Sequence, residues 1–237
     1  MTQKPSTTEC LNDTPSLVIF CKRPALFHGK QRLARTIGAK QALKFAQAFL
    51  DCALEDARAW PGPVVLSPAS SDDRQWAETL LDRDCRIVAQ PQGGLGQRLW
   101  DIYRTLRREG YRKVIFIGTD APALTPMHYA QAHAALDTAD IVLGPAADGG
   151  VTIMGARIPW PDFRPLPWGT SGLGQALDAL GRRHGHSTQT LSPSYDIDVE
   201  ADLSRLATDL SGDRRPARQR LYRQLEAYLS QGADAIA

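Results

Sequence analysis

The sequence predicts a single α/β domain of three layers, with helices on both faces of a mostly parallel central sheet. Three observations lead there. Apolar, β-branched runs alternate with stretches of helical period through most of the 237 residues, which implies strands joined by right-handed crossovers. The segment Lys113-Val114-Ile115-Phe116-Ile117-Gly118-Thr119-Asp120-Ala121-Pro122 carries consecutive apolar residues, the mark of a strand covered on both faces. Loops rich in Gly, Asp and Lys follow the strands, so they gather along one edge of such a sheet, where open α/β sheets bind ligands.

Each element has its own signal. Residues 16–21 (SLVIFC) read as a buried strand, and 22–34 as a basic loop. Ala42, Phe45, Ala46, Phe49, Leu50, Ala53 and Leu54 recur at helical spacing across 39–59. Pro61-Gly62-Pro63 stops that helix, and 64–67 is a short strand. Asp72 and Asp73 suit the first turn of a helix reaching about residue 81. Residues 86–90 form a strand, and 97–109 a helix ended by Gly110. After the central strand, Thr125 caps a helix with Pro126 in its first turn. Residues 141–143 and 151–156 are strands flanking the turn Gly144-Pro145-Ala146-Ala147-Asp148-Gly149-Gly150. Residues 157–169 are irregular, 172–183 helical, 188–191 a strand, and 200–210 and 214–229 helices.

Composition narrows the class. The chain is 43% hydrophobic and 23% charged with a formal net charge of +2, which gives no support for nucleic-acid or membrane-surface binding. No apolar run reaches the length of a membrane span. Residues 1–15 lack the apolar centre of a signal peptide and are expected to be a disordered leader. Residues 16–210 are expected to form the domain, and 211–237 a C-terminal helix packed on it or extending from it. The cysteines at 10, 21, 52 and 85 show no C-x-x-C spacing and are read as free thiols in a reducing cytoplasm.

The strand-end loops carry the chemistry. Asp120 falls just past the central strand, where an acid is a candidate ligand contact, although starting a turn is its commonest role. The first loop offers Lys22, Arg23, Lys30 and Arg32, cations suited to phosphate; it has neither Walker nor Rossmann glycine spacing. Asp148, Asp196 and Asp198 follow later strands. A hard divalent cation, Mg²⁺ or Mn²⁺, takes one or two such carboxylates plus phosphate oxygens. A basic loop, paired acids and glycine-rich turns together fit a nucleotide diphosphate or triphosphate. The five histidines are scattered and are assigned structural or surface positions. The Asp148-Gly149-Gly150 turn is either a ligand contact or a plain hairpin turn.

The motifs Lys22-x-Pro24, Lys30-x-Arg32-Leu33-Ala34, Gly93-Gly94-Leu95-Gly96-x-Arg98, Gly118-Thr119-Asp120-x-Pro122-x-Leu124, Gly144-Pro145-x-x-Asp148-Gly149-Gly150, Trp168-Gly169-Thr170 and Asp196-x-Asp198 occur in this order. In that order the chain resembles the bacterial selenodomain-associated or arsenosugar-biosynthesis glycosyltransferase-like family. More distantly it is similar to molybdenum-cofactor and phospholactate guanylyltransferases. The resemblance implies the nucleotide-diphospho-sugar transferase (GT-A, Rossmann-like) fold. It implies a metal held by Asp120 and Asp198, and catalytic roles for Asp120, Asp148 and Asp198. It implies nucleotide contacts from Lys22, Lys30, Arg32, Gln92, Gly94, Gly96 and Thr119, and substrate contacts from Gly149, Gly150, Trp168 and Thr170. The sequence departs from the family pattern at Leu26, Phe27, Gly29 and Gln31, at Gly94, where an acid is usual, and at Val151, where an aromatic is common.

The function expected first is a metal-dependent glycosyltransferase using a nucleotide-diphospho-sugar donor and a small-molecule acceptor. A nucleotidyltransferase using an NTP is second. A non-catalytic nucleotide-binding protein of the same fold is third. The altered first loop favours the diphosphate over the triphosphate, which needs the tighter glycine cradle.

Overall fold

A computed structural model describes residues 14–234. The leader expected over 1–15 falls almost wholly outside the described residues; Pro15 lies within them, and its carbonyl accepts a hydrogen bond from the buried Trp60 indole at 2.8 Å. The strands are β1 (Ser16–Cys21), β2 (Val64–Pro68), β3 (Arg86–Ile87), β4 (Val114–Ile117), β5 (Ile141–Pro145), β6 (Val151–Ala156) and β7 (Thr188–Thr190). They form one sheet in the order β3-β2-β1-β4-β6-β5-β7. All neighbours are parallel except β6, which runs antiparallel to both β4 and β5. The residues between β5 and β6 are too few for a crossover, so these two strands close as a hairpin.

The helices are α1 (Gln31–Ile37), α2 (Ala39–Ala59), α3 (Arg74–Glu78), α4 (Leu95–Arg108), α5 (Pro126–Thr138), α6 (Leu173–Arg183), α7 (Ala201–Leu210) and α8 (Pro216–Asp234). β4 is buried at every position, as its unbroken apolar run requires. Two apolar layers sandwich the sheet. One joins Leu17, Ile19, Ile115 and Ile117 to Leu50 and Leu54 of α2 and Leu136 of α5. The other joins Val18, Phe116 and Met154 to Leu99 and Leu106 of α4 and Leu177 of α6. Alternate residues of β1 and β4 thus face opposite layers, the period of two that a strand imposes. A third cluster packs Phe45 and Phe49 of α2 on Leu203, Leu206 and Leu221 of α7 and α8, so the C-terminal helix lies against the domain.

Several expectations are corrected. The basic loop contains α1, which begins directly after Lys30; its short apolar period, with only Leu33 buried, gave little signal. The helix expected to reach residue 81 ends at Glu78 and opens with a 3₁₀ turn, Ser71–Asp73. The cap there is Ser70, whose hydroxyl accepts from the Asp72 amide at 3.2 Å. β3 is two residues rather than five. α4 starts at Leu95 rather than 97. At Thr125 the cap is reinforced by His128, whose ring nitrogen Nδ1 accepts from the Thr125 amide at 3.0 Å. That gives one of the scattered histidines a structural task.

Candidate functional site

The site begins where β1 ends. The loop after Cys21 turns tightly, with the His28 amide bonded to the Ala25 carbonyl at 3.1 Å. Phe27 and Lys30 both adopt positive φ, 63° and 48°. Left-handed backbone is unfavourable for residues other than glycine and persists where the surroundings hold it. What holds Lys30 is its side chain, only 6% exposed. Its ammonium lies 2.8 Å from Asp120 Oδ1 and 3.7 Å from Asp198 Oδ1 and donates to the Ile197 carbonyl. It also sits 5.5 Å from the centre of the Phe49 ring. The backbone completes the knot, since the Ile197 amide donates to the Asp120 carbonyl at 2.9 Å. Lys30, expected among the cations of an open basic loop, is instead enclosed: segments distant in sequence close around it.

Asp120 follows β4, as expected, and its side chain is half exposed. Asp198 precedes α7. Capping of α7's approach is done by Asp202, whose Oδ2 accepts from the Asp198 and Val199 amides at 2.8 and 2.9 Å. The Asp198 carboxylate is left facing Lys30 and, at 3.6 Å, the exposed Arg32 guanidinium. Asp196 lines the same two cavities as Asp198 and is mostly covered. Burial pushes its carboxyl up to about 7, and the nearby Asp120, Asp148 and Asp198 carboxylates add to the rise while Lys30 opposes it. The cluster therefore carries more negative charge than its one buried ammonium balances.

That imbalance tests whether a metal suits the site. Hard carboxylate oxygens with surplus negative charge, open to solvent at Asp120 and Asp198, fit Mg²⁺ or Mn²⁺ completed by phosphate oxygens. Among the described residues, no group of three or more His, Cys, Asp or Glu side chains is placed to hold an ion unaided.

Three cavities meet at this cluster. The first, about 380 Å³, is lined by Lys22, Arg23, Lys30, Arg98, Gln90 and Thr119, with Asp120 at its margin. The second, about 230 Å³, is mainly apolar and ends at Asp120, Asp196 and Asp198. The third, about 410 Å³, is bounded by Arg32, Asp148, Gly150, Thr170, Asp196 and Asp198. Leu95, the first residue of α4, lines all three.

The structure distributes the remaining candidates unevenly. The Asp148 turn is the β5–β6 hairpin turn, with Asp148 Oδ1 accepting from the Gly150 amide at 2.9 Å; Asp148 and Gly150 nonetheless line the third cavity. Gly149 has φ 89°, and a Cβ there would lie 2.1 Å from the Ser171 carbonyl oxygen, so its glycine permits the hairpin to dock on the loop before α6. Gly96 is buried, and a Cβ on it would lie 2.1 Å from Trp168 Nε1. Its visible role is the close approach of Trp168 to α4, with the indole held by a 2.9 Å bond to the Phe163 carbonyl. Gln92 and Gly94 are exposed and line none of the three cavities. Sequence reasoning missed Gln90, which holds Arg98 Nη1 at 2.6 Å, and it assigned no site role to Arg98 or Leu95. Both lie inside the Gly93–Arg98 motif, where attention to the glycines hid the side chains that face the cavities.

With this geometry in place, similarity to known proteins can be set beside it. Residues 53–170 match the family DUF2064, described as uncharacterized protein conserved in bacteria. No curated protein matches the sequence significantly. Among solved structures, a proposed nucleotide-diphospho-sugar transferase from Desulfovibrio desulfuricans G20 superposes with a TM-score of 0.83 at 23% identity, over 92% of this chain and 97% of that one. A 4-diphosphocytidyl-2C-methyl-D-erythritol synthase from Anaerococcus prevotii DSM 20548 gives 0.51 at 10% identity, over 81% and 95%. A nucleotidyl transferase from Methanothermobacter gives 0.51 at 16%, over 88% and 99%. The chain has the nucleotide-diphospho-sugar transferase fold. No helix among the described residues is long and apolar enough to cross a membrane.

Proposed function

We propose that the protein is a transferase that takes a sugar from a nucleotide-diphospho-sugar with the help of Mg²⁺ or Mn²⁺. The observation that carries this reading is the junction at Lys30, where a cation-lined cavity meets an acidic cluster short of positive charge. In this reading Lys22 and Arg23 meet the donor's phosphates in the first cavity, with Thr119 beside them. Asp120 and Asp198 would hold the metal, which when bound stabilises the negative charge left on the departing diphosphate. Lys30 orients both carboxylates. Asp148 faces the third cavity and accepts a proton from the attacking hydroxyl; Gly150 and Thr170 shape that side, and Trp168 lines the second cavity. The resemblance to the selenodomain-associated and arsenosugar-biosynthesis transferases and the name of the Desulfovibrio neighbour support the same reading, while the Methanothermobacter neighbour is named for nucleotidyl transfer.

Nucleotidyl transfer ranks second because Lys30 is already engaged by Asp120 and Asp198. The first loop then has fewer uncommitted cations for a triphosphate than for a diphosphate. Calorimetric titration of UDP, GDP, CTP and GTP with Mn²⁺ tests the proposal. Tighter binding of a diphosphate, lost in Asp120→Ala, is the expected result; equal binding by wild type and Asp120→Ala refutes it.

A further inference from the structure

The second cavity has a chemical character unlike its neighbours. Its walls are Phe20, Leu99, Phe116, Met154, Trp168 and Leu173. These come from β1, β4, β6, α4, α6 and the loop before α6, so the cavity sits between the sheet and two helices. Phe116, Met154, Leu99 and Leu173 are buried members of the surrounding core cluster. Its only carboxylates, Asp120, Asp196 and Asp198, are residues it shares with the two neighbouring cavities, so its acidic side is where the three join. An apolar cavity left unfilled costs stability, and its volume, about 230 Å³, lies just under the range usual for small-molecule pockets. It shares Leu95, Val151, Leu173, Asp196 and Asp198 with the third cavity, where Asp148 sits.

Building on the proposed transfer, we infer that the acceptor is a small molecule with an apolar body and one terminal hydroxyl. The body lies in the second cavity and the hydroxyl at its acidic side. The hydroxyl oxygen forms a bond to the sugar's anomeric carbon. That carbon's bond to the diphosphate oxygen breaks, its electron pair stays on the nucleoside diphosphate, and the hydroxyl proton passes to Asp148. A polyol acceptor would leave hydroxyls unpaired against Phe20, Phe116 and Met154, a cost that an apolar body avoids.

Straight-chain alcohols from ethanol to hexanol, with glycerol as the polar control, probe this in the full-length protein by calorimetry, with and without UDP or GDP and Mn²⁺. The expected result is affinity rising about fourfold per added methylene, with no binding of glycerol. Val151→Phe fills space on the wall of this cavity, adds no charge and lies outside the first one. It should weaken hexanol at least about tenfold and leave nucleotide affinity unchanged. Should that variant not fold, Val151→Leu takes less of the same space and should weaken hexanol in the same direction. Affinity that is flat along the series, or unchanged in both variants, overturns the acceptor assignment. Nucleotide binding with no dependence on alcohol length refutes the acceptor alone; hexanol binding with no nucleotide binding refutes the donor reading.

Discussion

Two clusters of charge lie at opposite ends of the loop that follows β4, and they are built on different principles. The inner one is Asp56, Glu55, Arg215 and Arg218 with Tyr129. Arg218 is fully buried, and its guanidinium meets Asp56 at 2.6 Å and Glu55 at 3.1 Å. Arg215 takes the other Asp56 oxygen at 2.9 Å and Asp213 at 2.6 Å, and the Tyr129 hydroxyl donates to Asp56 at 2.8 Å. The spare guanidinium hydrogens go to the Pro122 and Leu124 carbonyls. Each carboxylate here meets a guanidinium, and the guanidiniums' other hydrogens meet carbonyls, which is the condition under which buried ions are tolerated. The outer cluster is Lys30, Asp120, Asp196, Asp198 and Asp148, where acids outnumber the buried cation and the margin is open to solvent. The lesson is that the inner cluster holds the loop, while the outer one leaves surplus negative charge at an open margin. Such a perturbed cluster in a cleft is the pattern expected of a functional site.

The largest test of this contrast is Arg218→Met. It leaves Asp56 buried beside one remaining guanidinium and should cost about 3–5 kcal/mol in urea unfolding. A cost under about 1 kcal/mol would mean that the inner cluster is not what anchors the loop.

The outer cluster should respond with the opposite sign. Asp196 has a folded-state pKa raised from 3.8 to about 7. Its raised pKa favours the native state below pH 4, where the carboxyl is protonated in both states, and that contribution is lost as the pH rises through about 7. Asp196→Asn should therefore raise stability at pH 8 by roughly 1–3 kcal/mol and leave it unchanged at pH 4. Thermal unfolding at the two pH values reads the difference, and an equal effect at both would remove the argument for surplus charge.

Gly96→Ala sharpens the comparison from the packing side. The added methyl meets the Trp168 indole, and relieving that overlap should cost about 1–3 kcal/mol with a shift in tryptophan emission. An unaltered spectrum would show that the methyl is accommodated without displacing Trp168. The smallest effect belongs to Arg32→Ala. The Arg32–Asp198 pair is 3.6 Å apart, with side chains 74% and 49% exposed, so stability should change by less than about 0.5 kcal/mol. A loss of nucleotide affinity without a loss of stability would place Arg32 on the ligand.

The two clusters were not equally legible. Asp120, Asp198 and Lys30 stand out in the sequence because each follows or opens an element at the ligand edge. The partners of Arg218 left no local trace, since Glu55 and Asp56 lie on the apolar-striped α2 and look like ordinary helix acids. In the sequence Asp196 is one of several acids that follow the later strands, because what raises its pKa is enclosure by other loops.

The sequence by itself determined the layered α/β plan. Unbroken apolar runs must be covered on both faces, amphipathic stretches must lay one stripe on a sheet, and strand-end loops then fall on one edge. Those constraints are local and are written in residue spacing. Only the tertiary structure decided that Lys30 is buried among carboxylates. Its ammonium bonds a carbonyl 167 residues away, and no spacing rule reaches that far. The antiparallel β6 follows from a turn too short for a crossover, which the sequence also shows, but only packing made Gly96 a seat for Trp168. Contacts between distant segments depend on where whole elements come to rest, which a single sequence encodes in the sum of its packing and in no one motif.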